Sequence, residues 1–124
     1  MTARLALTLA ALFLFVAVGT GAFGAHALKT RLEPDLMAVY QTAVQYHFWH
    51  ALGLLAVGVL LIQRPESGAL AWSAWLLVAG LVLFSGSLYA LALTGVRAFG
   101  AVTPVGGVAF LAGWAALAWA AWRG

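Results

Sequence analysis

Where the charged residues fall, more than how many there are, limits what this chain can fold into. Six Lys and Arg and three Asp and Glu residues leave four uncharged runs: Leu5 to Leu28, Leu36 to Gln63, Ser67 to Val96 and Ala98 to Trp122. Each exceeds the roughly 20 residues that a helix needs to cross the hydrocarbon of a bilayer. Inside lipid no water can bond the backbone, so each run must satisfy its own amides as a helix. The expected fold is therefore all-α: an integral membrane four-helix bundle in one domain, with spans at about 5–27, 42–62, 70–94 and 104–122. The 65% of hydrophobic residues and a mean hydropathy of +1.04 agree, since a water-soluble fold of 124 residues could not hide so much apolar surface.

The same residues exclude several function classes. With no cysteine, disulfides, thiolate metal sites and cysteine nucleophiles are ruled out together. The net charge of +3 is scattered over loops and does not suit a nucleic-acid surface; the partner it implies is the lipid bilayer. The first run has a basic start at Arg4 and a small-x-small pattern at Ala25-His26-Ala27, as an export signal would. It is longer than the roughly 7 to 15 apolar residues of a signal core, which favours a retained span.

Lys29-Thr30-Arg31-Leu32-Glu33-Pro34-Asp35 must stay in water or headgroups. Pro34 suits a first helical turn and Asp35 its positive end, so the second helix should begin here with an amphipathic, interfacial start. Tyr40, Tyr46 and Trp49 are expected at headgroup depth. Arg64-Pro65-Glu66-Ser67-Gly68 forms a short second loop. Thr94-Gly95 should end the third helix, and Thr103-Pro104 should open the fourth, with threonine as N-cap and proline at N1. Four crossings put the N-terminus, the Arg64 loop and the C-terminus on one side, opposite the Lys29 loop and Arg97. Trp72, Trp75, Trp119 and Trp122 then form a belt on the first side. Arg4, Arg64 and Arg123 balance Lys29, Arg31 and Arg97, so the positive-inside rule favours neither orientation.

Helices in lipid associate through close backbone approach. Ala17, Gly21 and Ala25, then Gly86, Ala90 and Thr94, then Ala112, Ala116 and Ala120 are stripes of small residues at four-residue spacing. Gly21, Gly24, Gly86, Gly106, Gly107 and Gly113 are the expected packing glycines, within one bundle or between copies. Gly19-Thr20-Gly21-Ala22-Phe23-Gly24 spells the dinucleotide pattern GxGxxG, but in a membrane helix those amides are already bonded, so it reads as a packing surface.

The polar residues gather in one half of the membrane, on the Lys29 side: His26, Gln41, Gln45, His47, His50, Ser85, Ser87, Tyr89, Thr94, Arg97 and Thr103. At 100 degrees per residue His47 and His50 share a face, with Gln41 and Gln45 roughly opposite. Ser85 lies about 14 Å deeper than Thr94 at a 1.5 Å rise per residue, near mid-bilayer. Polar groups at depth need partners, so these residues are expected to bond between helices or to line a wet cavity. His26, His47 and His50 could hold a metal or relay protons, but no carboxylate accompanies them on a helix, and structural hydrogen bonding is the favoured reading. No metal or other cofactor is expected. A triad of Ser85 or Ser87, a histidine and Asp35 would need a loop acid to descend into the bundle, so no enzyme is expected.

Gly19 to Leu28, Tyr40 to Leu52, Leu83 to Tyr89 and Thr103-Pro104-Val105-Gly106-Gly107 together resemble the Domain of Unknown Function 423 family, small bacterial inner-membrane proteins with a mitochondrial relative called transmembrane protein 256. The resemblance runs nearly the whole chain in order and spacing. It implies four helices, an inner (plasma) membrane location, no established activity, and functional interest in His26, Gln41, Gln45, Tyr46, His50, Ser85, Ser87, Thr103 and Pro104. Two functions remain in view. One is a structural or accessory component, packing as a homo-oligomer or with membrane-protein partners. The other is binding or transport of a metal ion, proton or small molecule through a polar vestibule, with the Lys29 loop at its mouth and Arg97 as a gate or anion contact.

Overall fold

A computed structural model describes residues 1–124. Four helices are long and apolar enough to cross a membrane: α1 (Ala3–Leu28), α2 (Pro34–Gln63), α3 (Gly68–Thr94) and the segment Arg97–Arg123. In that last segment a 3-10 turn, Arg97–Ala101, precedes α4 (Thr103–Arg123). No strand forms.

Local chemistry sets the ends. The Thr2 hydroxyl accepts from the Leu5 amide and the Ser67 hydroxyl from the Leu70 amide, so α1 and α3 begin with side-chain caps. The second helix does begin at Pro34, with Asp35 in its first turn, as the missing amide of proline and the helix dipole favour. Gly95 ends α3 at φ +71°, the left-handed region where a side chain would strain the backbone. Two stretches widen to π geometry: Gly24–Leu28, which closes α1, and Leu81–Ser85, in the middle of α3.

The bundle is layered, with α2 and α3 inside and α1 and α4 outside. Gly24 faces Tyr40 while Gly58 faces Leu7, so α1 and α2 run antiparallel; Gly106 on Phe84 and Gly113 on Leu77 establish the same for α4 and α3. The main core lies in the half nearer the Arg64 loop. Ala6 and Ala10 meet Leu54, Val57 and Leu61 of α2 and Leu70, Ala74 and Leu77 of α3 there. A smaller cluster of Leu28, Tyr40 and Ala92 closes the Lys29 end. Large apolar side chains cover the outside: Phe15 is 78% exposed and Leu111 72%. Because lipid matches the interior in polarity, close contact between helices and not water exclusion must hold them together.

Several expectations are corrected. Tyr40 is not a headgroup aromatic but is 2% exposed, its ring against Gly24. Tyr46 is half-buried, its ring 4.5 Å from that of Phe84 on α3. Gly86 makes no internal packing contact: a side chain there would meet nothing within 4 Å, and the stripe it shares with Ala90 and Thr94 turns outward at both ends. Thr103 does not cap α4. Val102 holds that position, while the Thr103 hydroxyl turns to α3.

The apolar half contains one buried polar tie, Ser73, whose hydroxyl donates to the Gly113 carbonyl at 2.8 Å. Ser73→Ala is expected to lower stability by about 0.6 kcal/mol, the typical value of a hydrogen bond between helices in lipid; the midpoint of unfolding in mixed micelles measures it. On the opposite face Arg97 pairs with Asp35 at 3.5 Å, joining the two loops on that side, with both side chains largely in solvent. Asp35→Ala should change the same midpoint by less than about 1 kcal/mol, and the difference should shrink in high salt.

Candidate functional site

The polar residues of the Lys29 half divide into separate groups. At the centre, the Tyr89 hydroxyl of α3 stands 2.9 Å from the Thr20 hydroxyl of α1 and 2.9 Å from His47 Nδ1 of α2. With a single proton, that hydroxyl can donate to one neighbour while accepting from the other. Thr20 also donates to the Ala17 carbonyl at 3.2 Å, and the Tyr40 hydroxyl donates to the Thr20 carbonyl. Three helices are thus tied at one level. His47 is 5% exposed, edge-on to Phe13 with ring centroids 6.0 Å apart, and its Nε2 is enclosed without a hydrogen-bond partner. Thr20 and Tyr40 are members of this network that periodicity does not single out. Their signal was the family-like segment around Gly19 and the start of α2, where hydroxyl-bearing residues face each other across antiparallel helices.

A second group lies on the other side of α2. His50 Nδ1 is 2.8 Å from the Tyr46 carbonyl, and its ring stacks on Phe110 of α4 with centroids 3.5 Å apart. Although His47 and His50 share a face by periodicity, one addresses α1 and α3 while the other addresses α4. His26 is exposed in the π turn of α1, so the three histidines do not converge, and no three His, Cys, Asp or Glu side chains come within reach of one ion.

The hydroxyls of α3 act between helices. Ser85 donates to the Ala43 carbonyl of α2 at 3.1 Å. The Ser87 hydroxyl lies 2.6 Å from that of Thr103 on α4 and 2.9 Å from the Phe84 carbonyl. Thr94 bonds back to the Ala90 carbonyl at 2.5 Å, and Arg97 faces Asp35 rather than the bundle.

Gln41 and Gln45 are exposed and line a groove of about 430 Å³ with Gly21, Gly24 and Ala25 of α1 and Met37, Tyr40 and Val44 of α2. Among the packing glycines, a Cβ added at Gly21 would stand 3.5 Å from Val44, one at Gly107 3.8 Å from the Phe84 ring and one at Gly113 3.1 Å from Leu77; at Gly24 and Gly106 it would run closer still into Tyr40 and the Phe84 backbone. Gly53 and Gly80, under Trp114 and Phe110, belong with them.

The family described as "Protein of unknown function (DUF423)" matches residues 20–107, a span that holds Thr20, Tyr40, His47, His50, Ser85, Ser87, Tyr89 and Thr103. The UPF0382 membrane protein SH2409 of Staphylococcus haemolyticus is 50% identical over 111 residues, covering 90% of this chain and 89% of the relative. The UPF0382 membrane protein YwdK of Bacillus subtilis is 47% identical over 106 residues, with 86% of each covered. The UPF0382 inner membrane protein YgdD of Escherichia coli K12 is 48% identical over 115 residues, 93% of this chain and 87% of the relative. No solved structure matches. With its four apolar helices and similarity along nearly its whole length, the chain belongs to the DUF423 family and is a multi-pass protein of the inner membrane.

Proposed function

We propose that this chain is a non-enzymatic structural or accessory component of the membrane, packing with copies of itself or with other membrane proteins. The observation that supports this most is how its polar side chains are used. Tyr89, Thr20 and His47, Ser85 with Ala43, Ser87 with Thr103, and Ser73 with Gly113 all bind one helix to another. In the half nearer the Arg64 loop, side chains such as Leu54, Val57, Leu61, Leu70 and Leu77 are fully enclosed, so no polar lining continues across. All three acids are exposed in loops or at the first turn of α2, away from any group they could serve in acid-base work. Outward, the protein offers apolar and small residues that suit another helix as well as lipid.

Extraction of tagged protein in mild detergent should yield an assembly of fixed stoichiometry, and sealed vesicles containing it should carry no flux driven by pH or metal gradients. A single copy in lipid, together with such a flux, would sink this reading. Transport or binding through the polar half is the second reading, supported by the unbonded Gln41 and Gln45 and by the unpartnered His47 Nε2. It expects a flux, or bound metal, that is lost when His26, His47 and His50 are all replaced.

A further inference from the structure

A cleft of about 400 Å³ lies between α2, α3 and α4, on the side of the bundle away from α1. Its walls are rings, those of Tyr46, Phe84, Phe110 and Trp114. At its rim Val108 and Leu111 are 65% and 72% exposed, so the cleft opens toward lipid. Phe110 sits six residues into α4 from Pro104, about 9 Å below the start of the helix at a 1.5 Å rise, so the cleft runs from the first turn of α4 at Pro104 inward to that depth.

One wall is the His50 imidazole, 6% exposed. Its Nδ1 bonds to the Tyr46 carbonyl, and a carbonyl can only accept, so Nδ1 carries the proton and Nε2 of the neutral ring is a bare acceptor. No group of the chain bonds Nε2. Because His47 Nε2 is the only side-chain nitrogen or oxygen both enclosed and unpartnered, His50 Nε2 must keep access to the space beside it. A bare acceptor is therefore held in a ring-walled cleft that opens to lipid, where an unmatched polar group is costly.

The lining restricts what fits. No Lys or Arg reaches it, which disfavours a phosphate headgroup, and no carboxylate does, which disfavours a cation. An acyl chain would fill the space but leave Nε2 unmatched. Aromatic walls prefer an aromatic guest, and a bare imidazole nitrogen selects a guest with a hydrogen-bond donor. We propose that this cleft binds the ring of a lipid-soluble phenol or hydroquinone, whose hydroxyl donates to His50 Nε2 while its face lies among Phe84, Phe110 and Trp114. One copy of the chain builds the whole site, so it stands whether or not the accessory reading does.

The test uses the full chain in phosphatidylcholine nanodiscs and two probes of matched shape: tetramethylhydroquinone, kept reduced, and its dimethyl ether, which has no donor. The hydroquinone should bind saturably and the ether about tenfold or more weakly, read by calorimetry. His50→Phe keeps a ring in the wall and should make the two probes bind alike. Should that variant fail to fold, the imidazole nitrogen resonances of labelled wild-type protein provide the readout, with Nε2 shifting for the hydroquinone and not for the ether. Equal binding of both probes to the wild type, absence of saturable binding, a preference that survives His50→Phe, or an Nε2 resonance unmoved at saturation would each overturn the proposal.

Discussion

Gly106→Val is expected to lower stability by about 3 kcal/mol, the largest effect of any single replacement considered for this protein. A Cβ at Gly106 would stand 2.7 Å from the Phe84 Cα and 2.8 Å from its Cβ, with the Phe84 amide nitrogen closer still. Backbone cannot swing aside as the end of a side chain can. The contact falls in the π turn Leu81–Ser85, where the wide turn of α3 meets α4. A valine would therefore push the two helices apart along their whole line of contact, loosening Gly113 on Leu77 and Gly80 on Phe110 as well. Close backbone approach supplies most of the attraction between helices in lipid. Gly86→Val is the control: with nothing within 4 Å of its Cβ position, it should stay within about 0.5 kcal/mol of the parent. Unfolding in mixed micelles decides the matter; equal midpoints for the two variants would contradict the packing described.

Tyr89→Phe is expected to be the second largest, at about 1.5 kcal/mol. Hydrogen bonds between membrane helices average nearer 0.6 kcal/mol, but this hydroxyl serves two neighbours at once, half-buried Thr20 and buried His47. Its loss leaves Nδ1 of a 5% exposed histidine unsatisfied, as Nε2 already is, and stranded buried groups cost more than the net value of the bond. His47→Leu should cost much less in the Tyr89→Phe background than alone, a coupling of about 1 kcal/mol measured by a double-mutant cycle. Additive effects would mean that the two side chains do not depend on each other.

The sequence makes the membrane architecture legible because a charge in lipid is prohibitive wherever the neighbours stand. Thus the interruptions at Lys29–Asp35 and at Arg64–Glu66 mark loops without any knowledge of packing, and Pro34 and Gly95 mark helix ends through their own backbone chemistry. The crowding of polar residues into one half is also visible, since depth follows from counting residues along each helix. The buried role of Tyr40 was not visible. An amphipathic ring near a loop suits a headgroup as well as it suits the Thr20 carbonyl, and only the antiparallel seating of α1 on α2 decides between them. Gly86 and Gly106 are equally small, and the difference between them lies entirely in what stands opposite.

Taken alone, the order of residues determined the solvent, the number of crossings, the loops and the sidedness of the polar groups, each of which depends on one residue and its medium. Tertiary structure decided which face of every helix turns inward, that His47 and His50 part company, and that Thr103 reaches Ser87 instead of capping its own helix. In water, the apolar face of a helix announces where the core is. In a bilayer, the surroundings are as apolar as the core, so rotation is set by the fit of small residues against large ones and by pairs of hydroxyls meeting across helices, and neither can be read from one strand of sequence at a time.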